Sequence, residues 1–259
     1  PAYVWTKAVA TGTFLMMHFW NIFNSGISKS TEFQGLMVTI LFMILTGGLL
    51  IKDLDRPDRF LYVLLRPQWK SWLVRGAYII TAFGGIVGFK ILDNIFNLNL
   101  HWLWYPGSLF SIFGATYTAF LFNQARARDF WQTPIQSAFH MQIHAVMAGS
   151  IAMILIQPGS IMMMSQILFV GIIMNLLIIF KEINFYHDTA DIRKAVTLMT
   201  KGYYSKYFWV GVFIGNLVPL FLLIFFTEAL LILTCALVLV GIFLTEFVRI
   251  RIPQMIPLS

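Results

Sequence analysis

Two histidines set the first question. His140 and His144 stand four residues apart in an apolar run, so a helix there puts both imidazoles on one face. That spacing invites a metal or a haem. A bis-histidine haem takes its ligands from two facing helices, however, and no partner histidine lies at matching depth. His18 and His101 belong near the opposite membrane surface, and His187 lies in a connection. A polar contact to a neighbouring helix is the simpler expectation for both. Other ionisable groups lie within or at the edges of apolar runs, where they are costly and mark functional candidates. Lys7 is near the start of the first run, Arg75 near the head of the third, and Lys181 and Glu182 at the end of the sixth. Lys7 either snorkels to the surface or carries function. Arg75 reads as an anchor, and Lys181 and Glu182 are placed to pair with each other. The single cysteine, Cys235, cannot supply the roughly four thiolates of an iron–sulfur cluster. The sequence holds no phosphate-cradling glycine motif, no HExxH and no nucleophile elbow.

The elements that must position these groups are membrane helices. The chain has 259 residues, 59% hydrophobic and only 11% charged, with a mean hydropathy of +0.78. A soluble domain is about a quarter charged. The net charge of +7 comes from Lys and Arg gathered between apolar runs. Membrane topology produces that placement, and it excludes nucleic acid as a partner. A spanning helix needs about 20 apolar residues, and eight runs qualify: Trp5–Phe23, Phe33–Ile51, Trp72–Leu92, Trp102–Phe122, Ile135–Ile156, Ile161–Phe180, Tyr207–Phe226 and Ala229–Val248. The expected fold is all-α, a polytopic membrane bundle of about eight helices forming one domain over residues 1–259. The chain opens at Pro1 without the layout of a signal peptide, so preceding sequence is expected to be missing.

With eight spans both ends lie on one side, called side A here. Sixteen of the Lys and Arg residues fall on it, and only Lys29 and Lys90 on side B. The positive-inside rule makes side A cytoplasmic. Most tryptophans, Trp5 among them, sit near span ends as an aromatic belt. Gly47-Gly48 and Gly84-Gly85 are expected as close-packing sites. Within Asn184–Lys206, Ile192, Val196 and Met199 recur at helical spacing. They predict a short surface helix, capped by Thr189 or Asp191 and ended by Gly202. The connection Lys52–Ala77 alternates acid and base across Asp53, Asp55, Arg56, Asp58 and Arg59, and each of its prolines, Pro57 and Pro67, follows an arginine. It reads as a docking surface.

Three connections carry a resemblance. LDRPDRF followed by LLRPQWKSWLVRGAY, then YTAFLFNQARARDFWQTP over Tyr117–Pro134, then AVTLMTKGYYSKYFW over Ala195–Trp209, come in order between helices. Together they resemble the NrfD/PsrC family of polysulfide reductase-type membrane subunits. The resemblance implies a subunit without a haem or iron–sulfur cluster of its own. Such a subunit binds a quinone, menaquinone or ubiquinone, in a four-helix bundle, here roughly residues 1–134, with a second bundle over roughly 135–259. A ferredoxin-like iron–sulfur subunit docks above and serves a molybdopterin or multihaem cytochrome subunit. In the family a tyrosine ahead of an Arg-x-x-Trp faces the quinone, and the matching residue is Tyr117, ahead of Arg128-Asp129-Phe130-Trp131. A Trp-Thr-Asn at the start of the first helix supplies another contact. The similar stretch is Trp5-Thr6-Lys7, with Lys in place of Asn and Ala10 where a histidine would follow.

These readings give quinone-site candidates Lys7, Tyr117, Trp5 and His140, and docking candidates Asp55, Arg56, Arg59, Arg66 and Arg128. The expected role is electron exchange between the quinone pool and the docked partner, in the cytoplasmic (inner) membrane of a prokaryote. PsrC-like complexes carry their partner on the periplasmic side, against the charge tally, and the two orientations stay open. The alternative from another class is an ion or solute transporter with Lys7, Arg75 and Glu182 along its path.

Overall fold

A computed structural model describes residues 1–24, 26–53, 60–185, 189–225 and 230–256. Among them are eleven α-helices and no strand: α1 (Ala2–Phe23), α2 (Lys29–Lys52), α3 (Phe60–Leu65), α4 (Trp72–Phe96), α5 (Trp104–Asn123), α6 (Pro134–Ile156), α7 (Ile161–Asn184), α8 (Ala190–Thr200), α9 (Ser205–Val212), α10 (Val218–Phe225) and α11 (Leu231–Met255). A π-helical turn, Phe213–Leu217, joins α9 and α10 into one rod. Eight long rods therefore occupy the eight predicted spans. Six of them are long and apolar enough to cross a membrane on their own, and α1 and α5 are the two that are not among these. The position of α1 accounts for its share of polar residues. Fifteen of the 22 residues of α1 are buried, including Thr6, Lys7, Thr11, Thr13 and His18. It packs against α2, α5, α6 and α11. A helix that meets protein on most sides needs less apolar surface than one that meets lipid. By contrast only six of the 24 residues of α2 are buried.

Small residues let α1 and α6 come together. A Cβ on Gly12 would fall 2.9 Å from the Gly149 backbone nitrogen and closer still to the Ala145 carbonyl. Ala8, Ala115 and Ala145 form the small buried cluster beside this crossing. A second crossing joins the π turn to α11, where a Cβ on Gly215 would fall 3.0 Å from the Gly241 nitrogen. The glycine pairs singled out in the sequence do something else. A Cβ on Gly47, Gly48 or Gly85 would meet nothing within 4 Å, and one on Gly84 would meet only the Met43 methyl, at 3.2 Å. Gly47 faces a small space between α2 and α4 rather than a tight helix crossing.

The π turn has a local cause. Pro219 lacks an N–H and cannot donate to the carbonyl four residues back, so the helix widens just before it. The widening turns Asn216 inward, where it is 1% exposed. The predicted surface helix is α8. Thr189 caps it by accepting from the Ile192 N–H at 3.3 Å. Ile192, Ala195, Val196 and Met199 bury against Phe130, Phe208, Val248 and Ile252 in a second core on side A.

Candidate functional site

Two polar centres lie inside the bundle towards side A. The first belongs to α1 and α5. Lys7 is 1% exposed, so it does not snorkel. Its Nζ donates to Thr118 Oγ1. The same ammonium lies 4.2 Å from the centroid of the Tyr117 ring, within cation–π range. No carboxylate lies within ion-pair distance of Lys7 among the described residues. A buried ammonium that rests on a hydroxyl and a ring has donors to spare, because it carries three N–H bonds. Tyr117 also lines an apolar cavity of about 70 Å³ between α2, α3, α4 and α5, walled by Gly47, Leu50, Val63, Leu73, Gly76 and Ile80. Lys7 does not line that cavity, so the Tyr117 ring is the group the cavity and the ammonium share. Gly76 fixes the ring's place, for a Cβ there would fall 2.9 Å from Cζ of Tyr117 and closer still to two other ring carbons.

The second centre joins α6, α7, α11 and the π turn. His140 Nε2 and His144 Nε2 both meet Asn175 Oδ1, at 2.6 and 3.0 Å. Asn175 Nδ2 donates to Asn216 Oδ1 at 2.7 Å, and Asn216 Nδ2 donates to the Gly211 carbonyl at 2.8 Å. His144 Nδ1 meets Glu246 Oε1 at 2.8 Å. Arg249 Nη1 donates to His140 Nδ1 and lies 3.1 Å from Glu182 Oε2. That last contact is an ion pair without a well-aligned hydrogen bond. Ligand atoms of His140, His144 and Glu246 come within 4.8 Å of one another, a spacing that suits a metal. Each imidazole nitrogen is already engaged in a hydrogen bond, however, and the Arg249 guanidinium sits against His140, so the cluster is arranged as a hydrogen-bond network.

The quinone-site candidates therefore divide. Lys7 and Tyr117 come together. Trp5 lies two residues from Lys7, about 200° around α1 at 3.6 residues per turn. It packs edge-on to Phe42 and Phe243 and donates to the Leu239 carbonyl at 2.9 Å. His140 belongs to the second centre. Glu182 is buried and pairs with Arg249, whereas Lys181 is exposed. The expected Lys181–Glu182 pair does not form, because adjacent helical residues point about 100° apart. The expected polar contacts of His140 and His144 with neighbouring helices do form. Arg75 is exposed, donates to the Trp69 carbonyl at 2.6 Å and lies over the Trp72 ring, as an anchor would. Of the docking candidates, Asp55, Arg56 and Arg59 lie outside the described residues. Arg66 is exposed beside exposed Leu65, Trp69 and Lys70. Arg128 is half-buried and donates to the Ile256 carbonyl, which ties it to the end of α11.

A family model described as polysulphide reductase, NrfD, matches residues 2–257. The chain belongs to the NrfD family. No curated protein matches it. As an NrfD-family chain it is a multi-pass integral membrane protein, with a helical bundle as its whole described body.

Several partners in both centres escaped the sequence reading: Thr118, Asn175, Asn216, Glu246 and Arg249. Glu246 offered a signal, an acid inside the eighth predicted span, and Asn175 and Asn216 offered weaker ones inside the sixth and seventh. A third cluster, near side B, was also missed. Lys90 is fully buried between Glu32 at 2.9 Å and Asp93 at 2.8 Å, over the ring of Trp104, on which His18 stacks. Asp93 also accepts from the Leu100 N–H at 3.0 Å.

Proposed function

We propose that this NrfD-family chain is the quinone-reactive membrane subunit of a respiratory oxidoreductase in a prokaryotic cytoplasmic (inner) membrane. It exchanges electrons between the quinone pool and a ferredoxin-like iron–sulfur subunit docked on side A. That subunit serves a molybdopterin enzyme or a multihaem cytochrome. The observation that carries the reading is the Lys7 ammonium, buried with no carboxylate at ion-pair distance among the described residues and resting on the Tyr117 ring at the wall of an apolar cavity. A quinone needs this combination: apolar walls for the ring and its tail, with hydrogen-bond and proton donors for a carbonyl oxygen that gains charge on reduction.

The cavity is about 70 Å³, roughly half the ~150 Å³ that accommodates benzene. Binding therefore widens it. Tyr117 is the lining side chain whose rotation would both enlarge the space and bring the Lys7 ammonium to the head group. Exposed Leu65, Arg66, Trp69 and Lys70 on the side A surface above supply mixed apolar and basic contacts for an acidic iron–sulfur partner. The test is quinol-linked turnover of the assembled complex. Lys7→Ala and Tyr117→Phe should each lower it by about 100-fold or more, the usual size of a lost proton-transfer group. Unchanged turnover in both variants would overturn the assignment.

A further inference from the structure

Donor and acceptor chemistry fixes almost every hydrogen in the second polar centre. The Gly211 carbonyl can only accept, so Asn216 must present Nδ2 to it and Oδ1 to Asn175. Asn175 then presents Oδ1 to both histidines, and both Nε2 atoms must donate. Arg249 can only donate, so His140 Nδ1 accepts, and His140 is the neutral Nε2–H tautomer. His144 Nε2 carries a hydrogen, and its Nδ1 lies 2.8 Å from Glu246 Oε1. One further proton must lie between those two atoms, on the nitrogen or on the oxygen. Without it two lone pairs would face each other. It is the one proton whose position the network leaves open.

Charge and access single out the same proton. Arg249 and Lys7 are balanced by Glu182 and Glu246, and the shared proton is the one charge in excess. Losing it leaves a cluster that is neutral overall, which a buried site tolerates best. Glu246, His140 and Arg249 line a second cavity of about 20 Å³ under Phe130 and Trp131 on side A, room for one water. Glu246 on α11 also lies within electrostatic range of Lys7 on α1, and the two helices pack together.

We propose that the His144–Glu246 pair is the proton store for the quinone site, loaded from side A through the small cavity. The inference rests on the quinone reading above. A quinone becomes a quinol by taking up two electrons, here from the iron–sulfur partner, and two protons. The Lys7 ammonium gives one proton to a carbonyl oxygen and becomes an amine. The pair gives the second by way of the same amine, which lies within electrostatic range of Glu246. Two protons from side A water then restore the ammonium and the pair. Quinol oxidation runs the same steps backwards, with protons leaving to side A. Glu246 and His144 touch no substrate, so they are proton-relay and positioning residues.

Infrared difference spectroscopy on the reconstituted protein, with a short-chain ubiquinone reduced at an electrode, tests this. Quinone carbonyl bands report whether the substrate binds. A carboxyl band that changes with reduction and shifts in deuterated water reports the pair. The band should vanish in Glu246→Gln, which keeps the contact with His144, and return displaced in Glu246→Asp. Quinone bands with no carboxyl change, or a carboxyl band that survives Glu246→Gln, would overturn the proposal and leave the quinone site standing. Absence of quinone bands in the wild-type protein would overturn the quinone site and the store together. A Glu246→Gln protein that binds quinone but lacks the band, with turnover lowered about 100-fold and recovered in part by Glu246→Asp, would support it.

Discussion

Gly76→Ala is the smallest change that tests the placement of Tyr117. The new methyl would fall 2.9 Å from Cζ of the ring and closer to two further ring carbons. Non-bonded carbons settle at about 3.5–4.0 Å, so something must retreat by about 1 Å. Gly76 is in α4, whose backbone is held by its own hydrogen bonds, so the ring moves rather than the helix. The ring borders the cavity and carries the Lys7 ammonium 4.2 Å from its centroid. A displacement of about 1 Å at a reacting group lowers rate about 100-fold, which is ~2.7 kcal/mol of barrier. Overpacking of this kind costs about 1–3 kcal/mol of stability, so the protein should still fold. The assay is quinol-linked turnover of the complex, with kcat and KM separated and a thermal melt alongside. Gly85→Ala is the control: it lies in the same helix, and its new Cβ would have nothing within 4 Å. Its turnover should equal that of the wild type. If Gly76→Ala also turned over at the wild-type rate while melting normally, Tyr117 would not be at the reacting centre.

Two further outcomes follow from the packing. Arg249→Met removes the cation beside buried Glu182 and the donor to His140. It should destabilise the protein by about 3–5 kcal/mol, seen as a lower melting temperature in detergent, with Glu182→Gln in the same chain recovering part of the loss. Thr189→Ala removes the cap of α8 and should cost about 1 kcal/mol. It should speed hydrogen exchange in α8 while leaving turnover unchanged.

The bundle was legible because membrane spans announce themselves one at a time, through length and apolar content. The cap of α8 was legible for a similar reason, since Thr189 and its partner Ile192 are neighbours in sequence. The polar centres were legible only by halves. Lys7 stood out as a charge in an apolar run, but Thr118, 111 residues away, did not. His140 and His144 drew notice as a pair, yet their partners come from α7 and α11. No local pattern says that Asn175 and Glu246 share their depth and face. Gly47-Gly48 misled for the same reason. Gly47-Gly48 and Gly12 look alike in sequence, and only the packing of α1 against α6 shows which face meets a neighbour. Three of the docking candidates fall outside the described residues, and Arg128 is engaged by the chain's own C-terminal helix.

The polarity of α1 also orders the protein's assembly in the membrane. A lysine near the middle of a spanning helix costs about 2.5–3.5 kcal/mol at insertion, less towards the ends, and α1 adds buried threonines and His18 to Lys7. Alone in lipid it would present these groups to acyl chains. The helices that cover them, α5 and α6, are synthesised more than eighty residues later. Early in synthesis α1 therefore depends on shelter from the insertion machinery or from α2. Its firm lodging comes only when α6 arrives and the Gly12–Gly149 crossing closes. The helix that carries the proposed chemistry is made early and secured late, so substitutions at that crossing should act first on how much protein reaches the membrane intact.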